Sequence, residues 1–287
     1  MEWMVTAMIL VACCFTSLYS PMVHNGTLYV GGWATVDDPA VYLDAVAAGT
    51  DPATIVGPDK LYRIEQNGTV ALVLARVGAH INDPSVITPP STDGIDRSGW
   101  QFLYYTALPN IYAAQEFWTE HQVGFASSVD GGATWWDHGP ILGPGLSLDS
   151  LGAWSPSALV VGNEIHVYYH DGFGYVWRSR LAANGWQQLD SPEFIGMLAS
   201  NVDVRIDGTE LVMLSNELDL TGIDRRSSPD GLAWSDPVRL IEGHEAWLPA
   251  PYGERLSADT EAVWFGYAPA FASESIHRWE FVRQFLE

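Results

Sequence analysis

The chain has 287 residues, a formal net charge of −22 and a pI near 4.4, and Lys60 is its only lysine. That balance argues against nucleic acid as a partner, because nothing basic is present in bulk to neutralise phosphates, and it suits a soluble acidic protein. The length suits one large all-β domain or two ordinary ones and can bury a sizeable core, and thirteen tryptophans supply packing anchors or platforms for sugar faces.

The chain opens on MEWMVTAMILVACCF. Its apolar run is too short to span a bilayer. Leu10 to Cys13 has the look of a lipoprotein cleavage box, but Glu2 stands where a leader needs positive charge. The expectation is an ordered strand over residues 2–14, which leaves the compartment open between cytoplasm and export. Cys13 and Cys14 are adjacent and cannot form a disulfide of ordinary geometry, so no stapled framework is implied.

No long helical period follows. A repeated unit does: an entrance, an apolar strand, a short turn and a second strand. YSPMVHNGTLYVGGW turns at Asn25-Gly26, a strong hairpin signal. AHINDPSVI and FLYYTAL form the second unit, separated by the longer polar excursion TPPSTDGIDRSG. GAWSPSALVVGNEIHVYYH turns at Gly162-Asn163, and NVDVRIDGTELVMLS at Asp207-Gly208. WLPAPYGERLSADTEAVWFGYA is the fifth unit, and residues 276–285 offer a terminal strand to pair with the one over 2–14. Five hairpins, each followed by more strand-like sequence, predict an all-β, five-bladed β-propeller in a single domain over residues 1–287.

Two surface turns fit this architecture. Ser128 to Trp135 reads S-x-D-x-G-x-T-W, an Asp box, and Ser228 to Trp234 is a degenerate second copy. In each, the aspartate accepts backbone N–H bonds, glycine supplies unusual dihedrals and tryptophan plugs the blade. Asp130 and Asp230 are therefore structural residues remote from any chemistry.

Inner strands of a propeller converge on one funnel. The five starts read Ser20, Asp83, Ser155, Asp203 and the GHEAWLP segment containing Glu245. Three carboxylates among five converging positions form a plausible acid–base set.

These residues also resemble the family 43 glycoside hydrolases from Asp83 onward. Asp83-Pro84-Ser85-Val86-Ile87 looks like that family's first motif, whose aspartate is the general base. Trp154-Ser155-Pro156-Ser157 is similar to its W-A-P-D segment, with Ser157 in place of the aspartate. Val202-Asp203-Val204 resembles the segment whose aspartate orients and tunes the acid. His244 to Pro249 is a looser match to the E-G-P segment of the general acid, without the glycine after Glu245. A complete hairpin, Ser20 to Trp33, precedes the base, which a circular shift of blade order reconciles.

The resemblance implies a glycosidase acting on a pentose- or furanose-containing glycan by inverting single displacement. Asp83 would be the base, Asp203 the residue that tunes the acid and Glu245 the acid, with Glu217 of LSNELD the substitute acid. Trp154, Ser155, His170 and Trp247 are expected to line the sugar site or to pack beside it. No cofactor is expected. A calcium ion in the funnel near His80 or His170 has no ligand spacing in its favour. The sequence is silent on oligomeric state.

Two other readings stand beside this one. A propeller that binds glycans or partners without cleaving them is suggested by Ser157 and the imperfect acid motif. A sialidase-like hydrolase is suggested by the Asp boxes and by Tyr62-Arg63-Ile64. That chemistry needs three convergent arginines and six blades.

Overall fold

The computed structural model describes residues 15–34, 44–51, 54–57, 59–91, 95–109, 120–144, 152–242, 246–247, 251–255, 261–269 and 280–286. Five antiparallel sheets succeed one another along the chain, each wound from its inner strand outward, as the repeated hairpins predict.

Blade I comprises β1 (Phe15–His24), β2 (Thr27–Ala34), β3 (Lys60–Ile64) and β4 (Val70–Leu74). Blade II comprises β5 (Ala79–Ile87), β6 (Gln101–Pro109), β7 (Gln122–Ser128) and β8 (Trp136–Leu142). Blade III comprises β9 (Trp154–Val161), β10 (Glu164–His170), β11 (Tyr175–Leu181) and β12 (Glu193–Leu198). Blade IV comprises β13 (Ser200–Asp207), β14 (Glu210–Asn216), β15 (Gly222–Ser228) and β16 (Val238–Glu242). In blade V two short segments, β17 (Ala246–Trp247) and β18 (Tyr252–Arg255), pair with successive stretches of β19 (Glu261–Pro269), and β20 (Glu280–Leu286) also pairs with β19. The expected strand over 2–14, with Cys13 and Cys14, lies outside the described residues.

A sheet buries apolar residues on both faces only if neighbours cover both. The clusters follow that rule, because each one lies across a blade junction. Tyr29 and Leu61 of blade I meet Ile81 and Leu103 of blade II. Phe102 and Phe125 of blade II meet Ile165 and Tyr169 of blade III. Leu159 and Tyr168 meet Val204 and Met213 across the next junction, and Leu214 and Ile223 meet Val263 and Phe265 across the fourth. The circle closes where Trp264, fully buried, packs against Val23, Val30 and Tyr62.

Both Asp boxes form as expected, at the blade ends opposite the entrances. Asp130 accepts from the Thr134 backbone N–H at 2.9 Å and from its hydroxyl at 2.6 Å, and these bonds hold its carboxyl down at about 2. Each box is pinned to the preceding blade. Arg63 Nη1 donates to Gly132 O at 2.5 Å, and Arg178 Nη1 donates to Asp230 O at 2.9 Å. Trp135 meets Tyr29 edge-on, and Trp234 meets Tyr168 in the same way.

Candidate active site

In blades I to IV the inner strand carries one extra residue at the same place. The register against the second strand slips by one between Tyr19 and Met22, between Asn82 and Ser85, between Trp154 and Ser157, and between Ser200 and Asp203. In blade V the same slip separates the Trp247–Ala268 pair from the Tyr252–Trp264 pair. A β-bulge bends the strand and re-aims the side chain at the bulge.

The bulged residues Ser20, Asp83, Ser155 and Asn201 all have positive φ, between 46° and 52°. That conformation costs a non-glycine residue about 1 kcal/mol or more. Proline follows in three of the four cases, Pro21, Pro84 and Pro156. It suits a place that the ladder skips, because it has no N–H to donate.

The residues of this bulge set converge in one recess. Its lining includes Ser20, Asp83, Ser155, Asn201, Asp203 and Tyr252. Asp83 is the one carboxylate among the four described bulge residues. Hydroxyls surround it. Ser20 Oγ donates to Oδ1. Thr106 Oγ1 donates to Oδ2 at 2.8 Å, and Ser155 Oγ lies 3.0 Å from the same oxygen. Ser155 Oγ is also 2.7 Å from Asn201 Oδ1. A hydroxyl has one proton, so Ser155 can serve only one of these two oxygens at a time.

Asp203 sits elsewhere in the pattern. Asn201, not Asp203, is the blade IV counterpart of Asp83, so the expectation that Asp203 begins its blade as Asp83 does is corrected by two residues. Asp203 instead belongs to a second ring, formed by the residue two places after each bulge. There, Met22 faces the Val86 N–H, Ser85 Oγ accepts from Ala158 N at 2.9 Å and Ser157 Oγ accepts from Val204 N at 2.7 Å. Asp203 Oδ2 accepts from Gly253 N at 3.0 Å, and Tyr252 closes the ring by donating to Val23 O.

Each of these residues latches its blade to the next. Burial pushes the Asp203 carboxyl up to about 6, against the opposing pull of Arg205, the Gly253 N–H and Ser157. Arg205 itself is paired with Glu261.

The other expected residues are distributed as follows. Ser155 lines the recess. Trp154 and His170 lie beside it, with Trp154 stacked on His121 at 3.3 Å and tilted against His170 at 5.5 Å. His170 is buried and its Nδ1 donates to Asp171 O at 3.1 Å, so Nε2 carries the lone pair. Burial holds this imidazole below its ordinary value, and hence neutral near pH 7. Trp247 lies in β17 opposite Ala268; its side chain and the whole of Glu245 fall outside the described residues. Glu217 is exposed on the β14–β15 loop and pairs with Arg239 at 2.5 Å, away from the recess lining.

His80 pairs with Asp59 at 2.7 Å. Among the described residues no group of three or more His, Cys, Asp or Glu side chains could hold a metal ion. No helix among them is long and apolar enough to cross a membrane.

Sequence reasoning missed Thr106 and Asn201. Thr106 had no local signal, since only strand pairing places it opposite Asn82. Asn201 had one. Aligning Asn201-Val202-Asp203 beneath Ser20-Pro21-Met22, Asp83-Pro84-Ser85 and Ser155-Pro156-Ser157 puts Asn201, and not Asp203, in the column of Asp83.

No family model and no curated protein matches the sequence. Solved structures do match the fold. An α-L-arabinofuranosidase from Lactobacillus brevis aligns with a TM-score of 0.66 at 12% identity, over 95% of this chain and 92% of that one. A family 43 β-1,3-galactosidase with galactodeoxynojirimycin aligns with a TM-score of 0.63 at 10% identity, over 96% and 91% of the two chains. A family 43 endo-arabinanase from Bacillus licheniformis aligns with a TM-score of 0.58 at 12% identity, over 95% and 94%. The five-bladed fold of this chain is therefore similar to that of the family 43 glycoside hydrolases.

Proposed function

We propose that the chain is a glycoside hydrolase whose general base is Asp83. The observation that carries this reading is the position of Asp83. It is a carboxylate at a convergent bulge, held by uncharged hydroxyls in a recess shared with Asp203. The solved structures of similar fold include enzymes named for cleaving arabinose-, xylose- and galactose-containing glycans. The substrate proposed here is a pentose- or furanose-containing glycan.

In this mechanism Asp83 takes a proton from water as the water oxygen bonds to the anomeric carbon. The glycosidic C–O bond breaks on the opposite face, and a protonated carboxyl gives its proton to the departing oxygen. Configuration inverts, and the two carboxyls need roughly 6.5–9.5 Å between them to admit the water. Glu245 is the proposed acid. Asp203, with its carboxyl pushed up to about 6, is the proposed neighbour that keeps that acid protonated through like-charge proximity.

Among the described residues no arginine lines the recess, whereas a sialidase grips its substrate carboxylate with three. Tyr62 is instead buried in the core, and Arg63 braces an Asp box. A non-catalytic glycan-binding propeller is the second reading. It is favoured by Ser157 at the position of the family's aspartate and by the latch position of Asp203.

The deciding experiment is Asp83→Asn assayed on nitrophenyl glycosides, arabinan and xylan. Turnover should fall by about 10²- to 10⁴-fold with KM little changed, because a base acts in the transition state. Hydrolysis that survives the substitution, or a wild type that binds glycans without cleaving them, rejects the catalytic reading.

A further inference from the structure

Asp83 cannot be oriented by its own strand alone, because the bulge takes it out of the ladder. Among its neighbours, Thr106 stands apart. It lies on the second strand of blade II, opposite Asn82, and is 2% exposed. Its Oγ1 accepts from the Ser155 backbone N–H at 2.8 Å and donates to Asp83 Oδ2 at 2.8 Å.

The first bond fixes the direction of the second. With a lone pair taken by an amide that belongs to the next blade, the threonine's single proton is left directed at the carboxylate. Ser155 has no such constraint, since its proton is shared between Asp83 and Asn201. Threonine also has a stiffer χ1 than serine, which restricts where the hydroxyl can point.

We infer that Thr106 is the positioning residue of the site. Its hydroxyl, aimed by the Ser155 N–H, holds Oδ2 of Asp83 so that one face of the carboxylate stays turned to the attacking water. Thr106 acts through Asp83 and touches no substrate. The inference rests on Asp83 as the base and adds a residue on a different strand, tying the geometry of the base to the junction of blades II and III.

The test compares Thr106→Val, Thr106→Ser and Asp83→Asn with the wild type on a nitrophenyl glycoside that the wild type cleaves. Valine keeps the shape and removes the hydroxyl. Because it also strips the Ser155 N–H of its acceptor, thermal unfolding is followed alongside and rates are expressed per folded molecule. The expected result is a kcat reduced ten- to hundredfold for Thr106→Val, the scale of misplacing a reacting group by about an ångström. KM should change less than threefold, and Thr106→Ser should recover most of the rate.

A Thr106→Val enzyme with wild-type kcat, beside an inactive Asp83→Asn, overturns this inference and leaves the base assignment standing. A loss in KM alone, or no recovery with serine, also overturns it. Full activity in Asp83→Asn, or no turnover by the wild type, overturns both together.

Discussion

The carboxylate of Asp203 accepts a hydrogen bond from the Gly253 backbone N–H at 3.0 Å, joining blade IV to blade V. Uncharged side chains make the equivalent junctions at Ser85, Ser157 and Tyr252. Blade IV does it with a carboxyl, which burial pushes up to about 6. A carboxylate there accepts well but is expensive to ionise away from water. The Gly253 N–H, Ser157 and Arg205 offset part of that cost.

A pH dependence of stability follows. In the unfolded chain Asp203 ionises near its ordinary 3.8, and in the folded chain near 6. Between those values the folded state binds more protons, so this group lowers stability as pH rises and has its full effect above about 6. The difference corresponds to up to about 3 kcal/mol. Asp203→Asn keeps an acceptor for Gly253 and removes the ionisation. Urea unfolding should therefore show the variant gaining on the wild type between pH 4 and pH 7.5. An equal difference at both pH values would show that the carboxyl is not perturbed.

Most of the fold was legible in the sequence because its signals are local. Asn25-Gly26 and Gly162-Asn163 each form the expected tight turn between two strands, and the third turn falls at Gly208-Thr209, one residue past the expected Asp207-Gly208, because Asp207 still pairs with Glu210. The Asp boxes carry their own hydrogen-bond pattern within eight residues. The site was legible only in part, because its geometry depends on register. Asp83 could be found from its place before a proline at a blade entrance. Asp203 was placed two residues out of step, since the slip that separates bulge from latch is a property of strand pairing. Thr106 could not be found from its neighbours, since its role comes from a hydrogen bond across to Ser155 in the next blade.

Gly132 separates structural from catalytic roles. It has φ +83°, and a Cβ built there would lie 2.6 Å from Gln101 Oε1 and 2.7 Å from the Tyr29 hydroxyl. Those two groups are hydrogen-bonded to each other at 2.9 Å. Gly132→Ala should thus force a disfavoured dihedral and disturb a buried bond, destabilising the chain by about 2 kcal/mol or more. The Asp box lies at the far end of blade II from Asp83, so kcat per folded molecule should stay within twofold of the wild type. A stable variant would show that the turn yields freely, and an inactive but stable one would bring the Asp box into the chemistry.

The proposed acid is tested by the leaving group. A nitrophenolate departs without a proton, whereas an alcohol or the next sugar of a glycan does not. If Glu245 protonates the departing oxygen, Glu245→Gln should lose about 10²-fold or more on arabinan or xylan and far less on a nitrophenyl glycoside. Asp83→Asn should lose similar factors on both, because the attacking water must be deprotonated whatever leaves. Glu217→Gln should behave like the wild type on both substrates, since that carboxylate is exposed and engaged with Arg239. Equal losses on both substrates for Glu245→Gln would exclude it as the acid. The same substrate-dependent split appearing in Glu217→Gln would move the role to the β14–β15 loop, which would then have to release Arg239 and reach the recess.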